Sequence, residues 1–174
     1  MNEQKPISHI VAGLLIAGVL IIFSIILYFT GTQQGGIYNV IPFILIIGGL
    51  IIFINKYGNN NNNQVSFGNL FSYGFKSTAV LTLVIIFFTV IFILLFPDIK
   101  EKLFESTRQQ MEKNGNLTPE QIDKSLETWQ NMFWIITIGG TMLTYAIVGA
   151  IGSAIGAAIT KKRPINPSDQ LDMR

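Results

Sequence analysis

The chain has 174 residues, of which 12 are Lys or Arg, 10 are Asp or Glu, one is His and none is Cys. Charged residues make up 13%, about half of the ~25% usual in a soluble domain, and nearly all of them lie between long uncharged apolar stretches. That segregation points to an integral membrane protein. It excludes a soluble globular enzyme, a disulfide scaffold, a zinc or iron–sulfur site built on Cys, and any intrachain site that needs two His.

The first apolar run covers residues 10–29, enough to cross ~30 Å of hydrocarbon at ~1.5 Å per residue. Lys5 and Pro6 precede it, and a proline at a helix start costs little because its missing N–H is not needed there. Glu3 offsets Lys5, the run is too long for a signal-peptide core, and no small-residue cleavage site follows. The run therefore reads as a retained span rather than a cleaved signal. The short loop Gly31–Gly36 forces an antiparallel return through a second span over residues 38–54, with Pro42 in its first turn and Gly48-Gly49 near its middle. Asn55-Lys56-Tyr57-Gly58 end that span. The five Asn from Asn59 to Asn63 read as a flexible linker with too little apolar surface to offset ordering entropy.

Phe67, Leu70, Phe71 and Phe75 recur at helical spacing after Ser66, a good N-cap. They predict an amphipathic helix over residues 66–76 lying at the membrane surface. It feeds a third span over 77–96, which Phe96-Pro97 ends, because the residue before a proline avoids the helical region. Residues 98–131 form the one substantial polar insert. Asp98 with Glu101 predicts a helix start close to a capping box, and Asn114-Gly115 a stop with a left-handed glycine. A second start is sharper: Thr118 as N-cap, Pro119 as first helical residue and Gln121 at the third position. Ile122, Leu126, Trp129 and Phe133 then form one apolar stripe. The insert is thus expected to be a helical hairpin outside the bilayer whose second helix runs unbroken into a fourth span, residues 132–159. The tail, 161–174, follows.

Orientation comes from Lys and Arg near span ends. Lys5, Lys56, Lys76, Lys161, Lys162, Arg163 and Arg174 share one side with Glu3, Asp169 and Asp172, seven bases against three acids and a net of +4. The hairpin side has five bases against seven acids, a net of −2. Both termini are accordingly expected in the cytoplasm and the hairpin outside. Tyr28, Tyr38, Trp129 and Trp134 fall near the outer boundary, and Tyr57 and Tyr73 near the inner one.

The fourth span carries the most specific pattern. Gly149, Gly152, Ser153 and Gly156 lie on one face, with Gly152 and Gly156 forming a G-x-x-x-G pair that lets backbones approach closely. They read as a helix-packing or oligomer seam. It either binds a second chain or packs on the protein's own spans, with Gly13 and Ala17 of the first span as a plausible mate. Lys161, Lys162 and Arg163 read as a membrane-surface anchor attracted to anionic lipid. The spans contain no Asp, Glu, Lys or Arg, where proton pumps and voltage sensors place such groups. Their hydroxyls, among them Thr78, Thr82, Thr89, Thr137, Thr141 and Thr144, read as helix hydrogen bonds. His9 reads as an interfacial residue at the start of the first span. Neither Ser66 nor Ser72 has a base beside it. No catalytic, metal or cofactor-binding residue is assigned, and no cofactor is expected.

Three pieces together resemble the bacterial membrane proteins of the DUF4199 family, a domain of unknown function. They are Ser66-Phe67-Gly68-x-x-Phe71-x-x-Gly74 entering the third span, Pro97-Asp98 leaving it, and Met111…Gly115…Pro119-Glu120-Gln121-Ile122 before the last span. The glycine-rich stretch Gly149–Gly156 is similar as well. The likeness spans about residues 8–162 and implies an inner-membrane protein of four helices, with no catalytic residues to carry over.

The reading is therefore a single all-α membrane domain over residues 1–174, with four spans, an interfacial helix and an extracytoplasmic hairpin. Its partners are the lipid bilayer and either further copies of itself or another membrane protein, with no nucleic acid. The leading role is a non-enzymatic accessory or scaffold subunit that engages a partner through the hairpin or the Gly-rich span. A small oligomeric transporter or channel is the alternative, and an enzyme of lipid or envelope substrates using Asp98 or Glu101 ranks third.

Overall fold

The computed structural model of the chain describes residues 7–31, 38 and 40–163. Lys5, Pro6, the loop residues 32–36 and the tail from residue 164 onward lie outside them. Among the described residues there are six helices and no strand: α1 (His9–Thr30), α2 (Ile41–Asn60), α3 (Phe67–Leu95), α4 (Asp98–Asn114), α5 (Pro119–Asn131) and α6 (Phe133–Ile159). Helices α1, α2, α3 and α6 are long and apolar enough to cross a membrane. Only 22–28% of each of these four spans is buried within the chain, so most of their apolar surface needs lipid or another apolar cover.

The chain divides into two compact units, one of Met1–Leu83 with Tyr145–Arg174 and one of Val84–Thr144. In the first, α1 packs on α2. Its core is Ile16 and Leu20 from α1, Ile46, Leu50 and Ile54 from α2, and Leu70 and Leu81 from α3, all at most 4% exposed. Ser8 caps α1 by accepting from the Val11 N–H at 3.3 Å, and Gly31 closes it in the left-handed conformation (φ 68°) that glycine adopts without strain. Pro42 falls in the first turn of α2.

Helix α2 does not end near residue 54 but continues to Asn60, and the Asn run is not a loose linker. Asn59 and Asn60 complete the helix, and Asn62 and Asn63 take left-handed φ values of 55° and 61°, a conformation Asn tolerates better than other side-chain-bearing residues. Local bonds fix the turn. The Asn59 side-chain amide donates to Asn55 Oδ1 at 2.8 Å, that of Asn61 donates to the Tyr57 carbonyl at 2.8 Å, and the Asn63 N–H donates to the Gly58 carbonyl at 2.8 Å. The Arg163 N–H donates to the Asn63 carbonyl at 2.8 Å, tying the turn to the residues after α6.

Residues 66–76 and 77–96, expected as an interfacial helix feeding a span, form one continuous helix, α3. Ser66 caps it, accepting from the Asn69 N–H at 3.2 Å. Gly74 is a point of close approach rather than a break: a Cβ there would stand 2.6 Å from both Ile54 Cδ1 and Ser153 Oγ. The inward stripe of α3 is Leu70, Tyr73, Ser77, Leu81 and Ile85, between 0 and 7% exposed. Of the aromatic face, Phe67 and Phe75 remain exposed, and their rings stack through Phe71.

In the second unit, α4 begins differently from the reading of Asp98 as its cap. Pro97 is the N-cap, without a side-chain cap bond, and its own backbone is already helical (φ −60°, ψ −26°). Asp98 is thereby drawn inside the first turn, where its charge and that of Glu101 favour the positive end of the helix. Gly115 ends α4 at φ 66°. Thr118 and Gln121 form the full capping box of α5: the Gln121 N–H donates to Thr118 Oγ1 and the Thr118 N–H donates to Gln121 Oε1. α5 does not run unbroken into α6. Met132 interrupts them at φ −109°, ψ 19°. The ladder still bridges the interruption, because the Met132 N–H donates to the Thr128 carbonyl and the Ile136 N–H to the Met132 carbonyl.

Candidate functional site

The small residues of α6 lie against helices of their own chain. A Cβ on Gly149 would stand 2.5 Å from Thr78 Oγ1 and 2.7 Å from Thr78 Cβ on α3. On Gly152 it would stand 3.0 Å from Leu50 Cδ1, and on Gly156 2.7 Å from Ile54 Cδ1, both on α2. At Gly149 the clash is with the branched Thr78 side chain close to its backbone, so a hydrogen there lets α6 seat on α3; at Gly152 and Gly156 a methyl would have to push aside the ends of the Leu50 and Ile54 side chains on α2. Ser153 is fully buried, and its Oγ has no hydrogen-bond partner among the described residues. Gly13, expected as a mate for α6, faces α3 instead: its Cβ would stand 2.5 Å from the Ser77 carbonyl oxygen and 2.9 Å from Val80 Cβ. Two contacts of the same kind lack an obvious sequence mark. Gly58, which reads as a helix terminator, sits inside α2 with Thr160 Cγ2 2.6 Å from its would-be Cβ, and Gly74 meets Ser153. An isolated glycine gives no period to count.

Apart from Ser153, buried and half-buried hydroxyls of the spans bond along their own helices. Ser77 donates to the Tyr73 carbonyl at 2.9 Å, Thr78 to Gly74 at 3.1 Å, Thr82 to Thr78 at 2.8 Å, Thr141 to Thr137 at 2.7 Å and Thr160 to Gly156 at 2.7 Å. Each such bond removes a donor that a polar path would need.

At the end of the first unit where α1 begins and α2 ends, the charges of the described residues are of one sign. Lys56, Lys76, Lys161, Lys162, Arg163 and His9 lie in its described residues, which contain no Asp or Glu. Lys161, Lys162 and Arg163 are exposed. The Lys162 ammonium lies 5.7 Å from the centre of the Phe67 ring, within cation–π range.

In the second unit, α4 and α5 pack on one another. Phe104 meets Trp129 edge-on at 4.5 Å and Phe133 at 5.7 Å, and the Lys100 ammonium lies 4.8 Å from the Phe133 ring centre. Ile122, Leu126 and Phe133 of the apolar stripe are buried. Arg108 links the two helices by pairing with Asp123 while also reaching Glu112 on its own helix at 3.3 Å. Asp98 pairs with Lys102 at 2.8 Å. Among the described residues there is no group of three His, Asp or Glu that could hold a metal ion.

Four helices long and apolar enough to cross a membrane, with no Asp or Glu among them, are the mark of a polytopic helical membrane protein. The family model "Protein of unknown function (DUF4199)" matches residues 12–162. The chain belongs to that family. No curated protein and no solved structure matches it.

Proposed function

We propose that the chain is a non-enzymatic accessory or scaffold subunit of a bacterial inner membrane, with both termini cytoplasmic and the α4–α5 hairpin outside the bilayer as its partner-binding element. The observation that carries this reading is the close fit of Gly149, Gly152 and Gly156 against Thr78, Leu50 and Ile54 of the same chain. A face so occupied serves as an internal seam, which leaves the acidic hairpin as the element free to engage another protein. The self-bonded hydroxyls support this reading over an oligomeric transporter, because they leave little polar lining for a path.

Native mass spectrometry after gentle solubilisation tests the proposal, with identification of whatever co-purifies. A reproducible second protein is expected, released when Glu105, Glu120 and Glu127 are all changed to Lys. Retention of that protein by the charge-swapped variant overturns the hairpin assignment. A homo-oligomer alone, with flux after reconstitution that falls in Thr78→Val or Thr141→Val, overturns the accessory role and establishes transport.

A further inference from the structure

A cleft of about 380 Å³ opens in the first unit where the start of α1, the end of α2 and the start of α3 converge. His9, Tyr57, Asn69, Ser72 and Lys76 line it. Its aromatic wall is set firmly. The Tyr57 and Tyr73 rings stack at 4.3 Å with 14° between their planes, and the Tyr73 hydroxyl donates to the Ile7 carbonyl at 2.9 Å. The lining therefore brings hydrogen-bond donors from three helices together with one permanent positive charge. Among the described residues of this unit there is no Asp or Glu to compete for them. The positive end of α1 adds a further favourable field. Directly beyond His9 the helix surface turns apolar and exposed: Ile10 is 50% and Leu14 48% exposed.

We infer that this cleft binds a phosphate-bearing anion, and that the anion is the headgroup of a phospholipid whose acyl chains run along the exposed side of α1. Lys76 and His9 hold the phosphate oxygens by charge-assisted and ring N–H bonds, and the amide of Asn69 and the hydroxyl of Ser72 donate to the remaining oxygens. The size fits such a ligand. A cavity of a few hundred cubic ångströms accommodates a glycerophosphate headgroup, whereas a solvated surface lysine alone would offer a field without a shape. This recognition is separate from the attraction of Lys161, Lys162 and Arg163 to anionic lipid, because those residues do not line the cleft.

The full chain in neutral detergent, titrated with phosphatidylglycerol or phosphatidylcholine and read by native mass spectrometry, supplies the test. Phosphatidylglycerol is expected to bind the wild type about tenfold more tightly than phosphatidylcholine, the scale of one charge-assisted hydrogen bond. That preference is lost in the His9→Gln, Lys76→Gln double variant and in Asn69→Asp, which sets a carboxylate into the cleft. It survives in Lys56→Gln and in Lys161→Gln, Lys162→Gln, Arg163→Gln. The thermal melt of each variant separates loss of the site from loss of the fold. Equal loss in the tail variant reduces the binding to surface charge and overturns the inference. Inorganic phosphate is the second probe. If it occupies the cleft of lipid-free protein and displaces phosphatidylglycerol at millimolar concentration, the ligand is a soluble anion and the lipid assignment fails. If it does neither while phosphatidylglycerol binds, the lipid assignment stands.

Discussion

Gly149 and Gly140 lie on the same helix and differ only in what stands before them. A methyl group on Gly149 runs into Thr78, whereas a Cβ on Gly140 meets nothing within 4 Å. Gly149→Ala is therefore expected to destabilise the protein by about 1–3 kcal/mol, as overpacking does, and Gly140→Ala to leave the detergent melting temperature nearly unchanged. Thermal unfolding followed by circular dichroism compares the two. Ser153 points the other way. Its buried hydroxyl lacks a partner among the described residues, so Ser153→Ala should be neutral or stabilising by up to about 1 kcal/mol, because removal of an unsatisfied group relieves its desolvation cost. A fall in stability comparable to that of Gly149→Ala would mean that the hydroxyl is bonded. The sequence marks the small face of α6 through its spacing of three and four. The faces that receive it are marked less fully: Gly74 and Thr78 stand four apart on α3, whereas Gly58 on α2 belongs to no such spacing and gains its meaning only when another helix arrives.

The elements whose ends depend on local chemistry were the most legible. The box of Thr118 and Gln121, the left-handed Gly115 and the cap by Ser66 all follow from hydrogen bonds within four residues, and the structure contains each of them. Thr118→Ala should cost about 1 kcal/mol of helix stability, visible as faster amide exchange over residues 120–124. The Asn turn departs from the flexible linker its composition suggests for a related reason: low complexity signals disorder, yet Asn combines tolerance of positive φ with a side-chain amide that bonds nearby backbone. Asn63→Val should destabilise by roughly 1–2 kcal/mol, the cost of a left-handed conformation with a side chain, while Asn63→Gly should be tolerated. Equal effects on thermal melting would show that the side chain rather than the backbone matters there. The interruption at Met132 has no local signature. It lies between Trp129 and Phe133, whose rings both meet Phe104, and such packing cannot be read from the residues alone.

At the scale of the whole chain, the acids of the described residues gather in one unit while the bases occur in both. Every Asp and Glu among the described residues belongs to Val84–Thr144, and the described remainder carries only basic groups. Charge separation of this kind orients a membrane protein. Reporter fusions inserted at Asn61 and at Gly115 should accordingly report opposite sides of the membrane, and the same side for both would break the four-span arrangement.

The seating of α6 on α2 and α3 also sets an order of events during translation. Gly74 and Gly149 are 75 residues apart, roughly 4–15 s of elongation at ~5–20 residues per second. Throughout that interval the surface formed by Ile54, Gly74 and Thr78 has left the ribosome without its cover. A nascent chain at this stage presents the same features that quality-control proteases meet in an orphaned subunit. Chains terminated just before Tyr145 should be cleared faster than the full-length protein in a pulse-chase measurement, and equal half-lives would mean that the last helix is not what completes the fold.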